Sequence, residues 1–410
     1  MTREDAQGLD VADPLARFRD AFDLPSGVIY LDGNSLGPPP LSTHERLEQV
    51  SRREWGEGLV RSWNSAKWIE APGRVGGKLA QLIGAKASEV VVADSTSVNL
   101  FKLAAGALSL RPDRKTLLSE TGSFPTNLYA LQGLTNLLGD RVQLKALPPA
   151  EVVAAIDEDT AAVVLTHVHY KSAQRWDMAA VTAAAHAKGA LVIWDLCHTA
   201  GAVMADLNGV GADLAVGCGY KYLNGGPGAP AFLFVAERHQ ARICSPLWGW
   251  MGHAEPFAFE DGYRGARDIR GQITGTPPIL GLAALEAGVD LQLEADPALV
   301  EAKGLALADL FIAEIEGRAA DPELTLASPR EASHRGLHVS FGHPEAYAVV
   351  QAMIAQGIIG DFRAPNIARF GFSPLFLGYS EVWDAAHAMC DILAARAWDR
   401  PEFRARAAVT

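Results

Sequence analysis

Five short, uniformly apolar runs, separated by helical stretches, limit the possible folds more than any other feature of this sequence. The intervening segments, such as 97–108 and 179–188, are amphipathic or rich in alanine. Buried strands that alternate with helices predict an α/β fold with a largely parallel sheet covered on both faces. The apolar runs occupy residues 90–93, 116–118, 161–165, 191–194 and 213–216.

The pattern changes near Pro277-Pro278, which predicts a second, smaller α+β domain. We therefore expect a large α/β domain at 61–279, with the small domain formed by 1–60 and 280–410. In the N-terminal arm we predict a strand at 28–31 and a helix that starts at Ser42, with Glu45 completing a capping box. In the C-terminal part we predict helices at 280–293 and 297–316, strands at 337–341, 358–363 and 367–372, and helices starting at Pro344 and Ser380.

Composition excludes several classes of function. The net charge of −12 disfavours nucleic-acid binding, which needs a basic face, and no apolar run is long enough to span a membrane. The charged N-terminus does not resemble a signal peptide. Four scattered cysteines fit neither a disulfide framework nor a structural zinc site. We expect a cytoplasmic protein with a small-molecule substrate.

Candidate catalytic residues follow two neighbouring strands. Asp195 ends one strand and Lys221 follows the next, and ligands of parallel sheets bind at such strand ends. A poorly solvated lysine can form a Schiff base with pyridoxal phosphate, and an aspartate keeps the pyridine nitrogen protonated. Taken singly, Asp195 is also typical of a helix cap, Lys221 of a surface lysine and His198 of a core histidine. Their joint placement favours the cofactor.

A second group of residues suits the cofactor's phosphate. Ser95, Thr96 and Ser97 precede a predicted helix, whose N-terminus attracts anions, although this triplet alone is also typical of a helix cap. His167 and His169 would share one face of a strand, as in some metal sites, but no third ligand motif accompanies them, so we predict no metal. No dinucleotide-binding or P-loop glycine motif is present.

Nine short motifs together resemble the kynureninase family, particularly its bacterial form, from about residue 28 to the C-terminus. The resemblance implies a fold-type-I pyridoxal-phosphate enzyme with a mainly parallel, seven-stranded type of sheet. It also implies a homodimer with shared active sites. The motifs are Leu31–Gly37, Arg61–Asn64, Ser97–Lys102, Phe124–Thr126, Trp194–His198, Tyr220–Gly228, Gly249–Trp250, Gly275–Thr276 and Arg369–Phe372.

The resemblance also implies a reaction, the hydrolysis of L-kynurenine to anthranilate and L-alanine in tryptophan degradation and NAD biosynthesis. By this resemblance Lys221 binds the cofactor, Asp195 contacts its nitrogen, Tyr220 relays protons and Arg369 binds the substrate carboxylate. Trp250 and Thr276 close the site, at least one of them from the partner subunit. Further cofactor contacts implied are Thr96, Ser97, Phe124, Thr126, Asn127, Thr166 and His198, and substrate contacts are Ser35, Trp63 and Asn64.

Three departures from the family pattern bear on substrate preference. Position 127 is Asn where the family has Asp, the segment 167–178 differs, and Met251 replaces an aromatic residue. A hydroxylated, halogenated or other β-aroyl amino acid therefore stays open as the substrate. An aminotransferase or cysteine desulfurase is a further alternative, although none of the four cysteines suits a mobile nucleophile. A non-catalytic cofactor-binding protein is disfavoured by Tyr220, Lys221 and Arg369.

Overall fold

A sheet of seven strands forms the centre of the larger part of the protein in a computed structural model, which describes residues 1–406. A four-stranded sheet forms the centre of the smaller part. The strands are β1 (Ile29–Tyr30), β2 (Val90–Val92), β3 (Thr116–Glu120), β4 (Gln143–Leu147), β5 (Thr160–Thr166), β6 (Leu191–Asp195), β7 (Leu214–Gly217), β8 (Phe232–Val235), β9 (Thr325–Leu326), β10 (His338–Gly342), β11 (Ile358–Ile359), β12 (Asp361–Arg363) and β13 (Ile367–Gly371).

Helices cover both sheets. None within residues 1–406 is both long and apolar enough to cross a membrane. The helices are α1 (Arg3–Ala12), α2 (Leu41–Gln49), α3 (Ser62–Ser65), α4 (Ala71–Leu82), α5 (Thr96–Leu110), α6 (Pro125–Leu138), α7 (Pro149–Val152), α8 (Met178–Ala187), α9 (Glu237–Gln240), α10 (Ile279–Leu293), α11 (Pro297–Arg318), α12 (Ala346–Ile354), α13 (Tyr379–Ala394) and α14 (Pro401–Arg404).

The large sheet has the strand order β2-β8-β7-β6-β5-β3-β4. Five neighbouring strands, from β7 to β4 in that order, run parallel, whereas β8 is antiparallel to both of its neighbours. The inner strands β3, β5, β6 and β7 are buried along their whole length, because helices cover both faces. The predicted α/β class and mainly parallel sheet are confirmed.

The smaller part is built on the antiparallel sheet β12-β13-β10-β9. Its core centres on Phe311 of α11, whose ring contacts Phe341, Phe370 and Phe372. The N-terminal arm joins this core, because β1 pairs with β11 and the side chains of the arm pack into the same apolar cluster. The arm therefore adds to the small α+β unit although it is distant in sequence.

Apolar packing places α10 with the large sheet. Leu282, Leu285 and Val289 lie in the cluster beneath that sheet, whereas the residues of α11 lie in the cluster of the small sheet. Leu291 near the end of the same helix lies in the cluster of the small sheet, so α10 contacts both parts and the boundary at residue 279 stays a prediction.

The start of α2 differs from the sequence prediction. The helix begins at Leu41 with Pro40 as its N-cap, and no side chain caps it, so the capping box from Ser42 to Glu45 is wrong. Pro40 has a fixed φ of −60° and ends an extended proline run. The helix consequently starts as soon as that run ends, which places Ser42 inside the first turn.

Candidate active site

Lys221 lies in the turn that follows β7. Its Nζ is 2.9 Å from Nε2 of His198, and among residues 1–406 no carboxylate forms an ion pair with it. Burial and the neighbouring Lys221 hold the pKa of His198 well below its usual value, so the imidazole is neutral. A neutral partner orients the lysine amine without stabilising its charge as a carboxylate would.

The N-terminal motif 31–37 holds the lysine turn from the other side. The backbone N–H of Gly37 donates to the carbonyl oxygen of Tyr220 at 2.8 Å. A Cβ at position 37 would lie 2.5 Å from Nδ2 of Asn224 and closer still to the carbonyl oxygen of Lys221. Only glycine lets the two segments approach this closely.

Asp195 ends β6, in register with Val216 of β7. Its carboxylate is buried and fixed by the protein: Oδ1 accepts from the N–H of Cys197 at 2.9 Å, and Oδ2 accepts from Nδ2 of Asn127 at 2.8 Å. The hydroxyl of Thr166 is a longer donor to Oδ2, at 3.4 Å. Oδ1 keeps an acceptor position for one further donor, such as a protonated ring nitrogen.

The N-terminus of α5 lies beside this aspartate. Ser95 caps the helix by accepting from the N–H of Val98, and Thr96 and Ser97 form its first turn. Oγ1 of Thr96 is 3.7 Å from Sγ of Cys197, two residues beyond Asp195. The positive end of a 15-residue helix and its hydroxyl groups suit a phosphate.

These features fit pyridoxal phosphate. A lysine without a carboxylate partner suits the aldehyde, an orienting aspartate with a spare acceptor position suits the pyridine nitrogen, and a helix N-terminus suits the phosphate. Phe124 precedes α6, is 42% exposed and contacts the ring of Tyr170, which leaves aromatic surface open to a planar ligand. Thr126 lies in the first turn of the same helix.

A buried cluster around Arg369 brings two arginines together with Ser35 and Asp361. Nε of Arg369 donates to Asp361 at 2.8 Å, Nη2 donates to both Asp361 and Ser35, and Nη1 donates to the carbonyl oxygen of Tyr170. Nη2 of Arg363 donates to the same Ser35 and Asp361. The guanidinium fork of Arg369 therefore faces Asp361, and the side chain is only 2% exposed.

This cluster carries an uncompensated positive charge. Burial opposes ionisation of Asp361, but Arg369 outweighs it and holds the pKa of Asp361 well below its usual value. Burial and the nearby Asp361 raise the pKa of Asp32 to about 8, so Asp32 is largely protonated at neutral pH. Two guanidinium groups thus face one ionised carboxylate. The cluster therefore has a net positive charge, which one anionic ligand group would neutralise.

Four predicted site residues lie apart from this constellation within the chain. Within residues 1–406, no hydrogen bond or ring contact joins Trp250, Thr276, Trp63 or Asn64 to Lys221 or Asp195. Trp250 is 40% exposed and contacts Phe257, Thr276 and Asn64 are exposed, and Trp63 packs on Trp68.

Met251 does not face an open pocket in this chain. It is buried in the apolar cluster beside the large sheet, together with Ile269 and Ile273. The expected bearing of Met251 on substrate preference stays a prediction.

The paired histidines 167 and 169 are occupied by protein groups. His167 contacts Thr199 and Arg175, and His169 contacts the carbonyl oxygen of Gly122 and the hydroxyl of Ser172. Burial lowers the pKa of His167 to about 3.

A separate trio, Asp321, Glu323 and His343, has ligand atoms within 4.8 Å of one another. Nδ1 of His343 accepts from the N–H of Glu345, and its Nε2 lies 3.4 Å from Oδ2 of Asp321. This arrangement favours a histidine–aspartate pair over a metal ligand.

Sequence reasoning missed several residues that the fold brings to the site. Asp361 and Arg363 lie on β12, and only their assignment to a strand was predicted. Asp32 lies within the motif Leu31–Gly37, but no role was predicted for it. His338 of β10 is completely buried, and neither ring nitrogen has a hydrogen-bond partner among residues 1–406. Its ring lies 5.2 Å from that of His198. A buried histidine on an apolar strand was the available signal.

The fold and this site define a fold-type-I pyridoxal-phosphate-dependent enzyme. Among solved structures, the chain is similar to a cysteine desulfurase from Thermococcus onnurineus NA1, with a TM-score of 0.78 and 19% identity, covering 93% of this chain and 98% of that one. It is also similar to a cystine C–S lyase in complex with cysteine persulfide, with a TM-score of 0.74 and 16% identity, covering 89% and 98%. At these identities the likeness concerns the fold.

Sequence relatives define the family. A kynureninase from Pseudomonas fluorescens is 50% identical and one from Burkholderia mallei (strain SAVP1) is 48% identical, each over the whole of both chains. The kynureninase C-terminal domain family matches residues 300–389, and the DegT/DnrJ/EryC1/StrS aminotransferase family matches residues 73–218. This chain belongs to the kynureninase family.

Proposed function

We propose that this chain hydrolyses the Cβ–Cγ bond of L-kynurenine, giving anthranilate and L-alanine, with pyridoxal phosphate bound through Lys221. The observation that carries the proposal is the placement of Lys221 beside a neutral His198, next to the strand that ends in Asp195. Family membership at 50% identity over the whole chain supports the same reaction.

Each residue of the site has a task in this reaction. When bound, the cofactor supplies an electron sink through its pyridine ring. Asp195 holds the proton on the ring nitrogen, and Asn127 orients the Asp195 carboxylate. The amine of Lys221 removes the substrate's α-proton, and His198 orients that amine as a neutral hydrogen-bond partner.

Tyr220 is the proposed proton donor. Burial raises the pKa of its phenol well above the usual value, so the hydroxyl stays protonated at neutral pH. It can protonate the carbonyl oxygen while the attacking water gives up a proton that restores the phenol. The restored phenol can later protonate the alanine β-carbon and recover a proton from the hydrated carbonyl group. Arg369 and Ser35 form the positive pocket for the α-carboxylate.

A direct assay tests the proposal. The purified protein, loaded with pyridoxal phosphate, is incubated with L-kynurenine and, separately, with 3-hydroxykynurenine, and release of the aryl acid and of alanine is followed. We expect equal amounts of both products, and no product from Lys221→Ala. If Lys221→Ala still forms a borohydride-stable cofactor adduct on the same peptide, the lysine assignment is wrong.

We also propose that two copies of the chain share their active sites. An apolar groove of about 400 Å³ opens between Trp55, Trp68 and the start of α10. The indole of Trp55 is 56% exposed, and the exposed loop that carries Trp250 adds Trp248, Phe257 and Phe259. Exposed apolar surface of this extent favours a protein partner. A second copy would bring Trp250 and Thr276 to the neighbouring site.

Location and pathway follow from this proposal. The four cysteines are free thiols, which is consistent with a reducing cytoplasm. Cleavage of kynurenine would place the protein in tryptophan degradation, with a link to NAD biosynthesis when the aryl product is hydroxylated. Fractionation of cells into cytoplasm, periplasm and membrane tests the location, and recovery with the membrane fraction would contradict it.

A further inference from the structure

Arg363 is the most accessible charged group in the buried cluster around Arg369. Its side chain is 32% exposed, whereas the side chains of Arg369 and Asp361 are almost completely enclosed. Nη2 of Arg363 is 3.0 Å from Oγ of Ser35. Ser35 lies two residues before Gly37, whose N–H donates to the turn that carries Lys221, so Ser35 links Arg363 to the active site. An anion that enters this pocket therefore meets Arg363 at its open side.

The two arginines also differ in their free hydrogen-bond donors. Four of the five N–H groups of Arg369 are used by Asp361, Ser35 and the carbonyl oxygen of Tyr170. Within residues 1–406, Arg363 uses only the two hydrogens of Nη2. Its Nε is buried without a partner, although a buried N–H normally has one. Arg363 therefore keeps three donors for a ligand.

We propose that Arg363 is a second substrate-contacting cation, which binds the α-carboxylate of the amino-acid substrate together with Arg369. This inference rests on the proposed function for the identity of the substrate. Arg369 then has two roles: it positions Asp361 and Ser35, and it offers its one remaining Nη1 hydrogen. Arg363 supplies most of the charge-assisted hydrogen bonds, which are stronger than neutral ones.

Replacement of Arg363 by glutamine tests this role. We expect KM for L-kynurenine to rise by about tenfold or more, because a charge-assisted bond is lost, while kcat changes by less than about twofold. The visible absorbance of the bound cofactor should not change. Arg363→Lys should recover part of the affinity. The matched control is Arg19→Gln. Arg19 lies on the N-terminal arm and is also a partly exposed arginine that forms an ion pair with a carboxylate, that of Glu381.

A substrate without the carboxylate separates contact from a structural role. With L-kynurenine amide, Arg363→Gln and the unmodified enzyme should have the same kcat/KM, because the charged partner is absent. Equal losses on the acid and the amide, or an unchanged KM for the acid, would overturn the proposal. If the unmodified enzyme does not cleave kynurenine, the proposed function fails. The carboxylate site is then tested by calorimetry with L-alanine and L-alaninamide, and Arg363→Gln must weaken binding of the acid alone.

Discussion

Arg369 shows most clearly that the buried charged groups near the cofactor site are held in place by a few specific hydrogen bonds. Its guanidinium forms two bonds to Asp361 through Nε and Nη2, a geometry that a lysine ammonium cannot reproduce. Asp361 is itself enclosed, so it depends on this arginine to remain ionised. The packing of this cluster therefore depends on the shape of the fork, and under the proposed function substrate binding depends on it as well.

Arg369→Lys keeps the charge but loses the fork. We expect kcat/KM for kynurenine to fall by the equivalent of about 2–4 kcal/mol, because Asp361 and Ser35 lose their alignment and the carboxylate loses a donor. Steady-state kinetics measure the loss, and thermal unfolding of the same variant reports the accompanying destabilisation. An unchanged kcat/KM would show that Arg369 does not serve the substrate site.

Asn127 is the departure from the family pattern with the clearest structural role. Its amide donates to Asp195, to Thr166 and, at 3.4 Å, to Ser123, so it does more than shape the loop that carries Phe124. An aspartate here would place two buried carboxylates in contact. Such a pair holds one proton tightly, which raises one of the two pKa values.

Asn127→Asp should therefore make the stability of the cofactor-free protein depend on pH. A carboxyl group whose pKa is raised in the folded state does not lower the free energy of unfolding at a pH below its unfolded pKa. The free energy of unfolding falls as the pH rises from the unfolded pKa through the folded one. We expect the variant to be destabilised by about 1–3 kcal/mol at pH 8 and by less at pH 5, because pH 5 lies only a little above the unfolded pKa of an aspartate. Bound cofactor should reduce this difference, because a protonated pyridine nitrogen offsets the added charge. If the stability difference between Asn127→Asp and the unmodified protein is the same at both pH values, Asn127 has a purely structural role.

At the scale of elements, the approach of the N-terminal segment to the turn after β7 controls the position of Lys221. Gly37 is the contact point, and a methyl group there would collide with the backbone of Lys221. Gly37→Ala should destabilise the protein by about 1–3 kcal/mol and lower kcat, because the lysine turn must move. Thermal unfolding and kinetics measure both effects.

A matched control for this change is Gly133→Ala. Gly133 lies inside α6 with open space around its Cα, so alanine should be neutral or stabilise the helix by about 0.5–1 kcal/mol. If Gly37→Ala behaves like Gly133→Ala, the close approach is not required for placing Lys221.

Burial along a whole strand helped the prediction of that strand but was not sufficient, since β8 is also completely buried. The strands β5 and β6 were found because every residue in each is buried, which makes the sequence pattern unambiguous. The edge strand β4 was missed, since Gln143–Leu147 is partly exposed and mixes polar with apolar residues. The strand β8 was missed because it follows a glycine- and proline-rich turn and reverses the parallel order.

The candidate site shows the same division between local and long-range information. Asp195 and Lys221 were predicted from a rule about neighbouring strand ends, which needs only the order of elements along the chain. Asp361 and Arg363 belong to the small sheet, and they approach Ser35 only because the N-terminal arm packs there. No local pattern encodes that packing.

At the scale of the whole molecule, the proposed dimer would account for both the exposed apolar surface and the separated site residues. Trp55 and the groove beside α10 are uncovered in the single chain, and Trp250 and Thr276 do not contact Lys221 within it. A two-fold dimer would cover the groove and bring these residues to the partner's cofactor site. Each site would then take residues from both chains.

Mixed dimers test this shared site. One chain carries Lys221→Ala and the other carries Trp250→Ala with Thr276→Ala; each parent dimer should be nearly inactive, because both of its sites are damaged. In a dimer that contains one chain of each kind, one site contains all three substitutions. The other site combines an unaltered Lys221 with an unaltered Trp250 and Thr276, so about half of the normal activity per dimer should return. Pairing Lys221→Ala with Asp195→Asn is the control, since both residues belong to the same chain's site and neither site is then intact. Two different affinity tags isolate the mixed dimers, and a kynurenine assay measures them. Failure of the first pair to regain activity would show that each chain builds its site alone. A gain by the control pair would show instead that Lys221 and Asp195 of one site come from different chains.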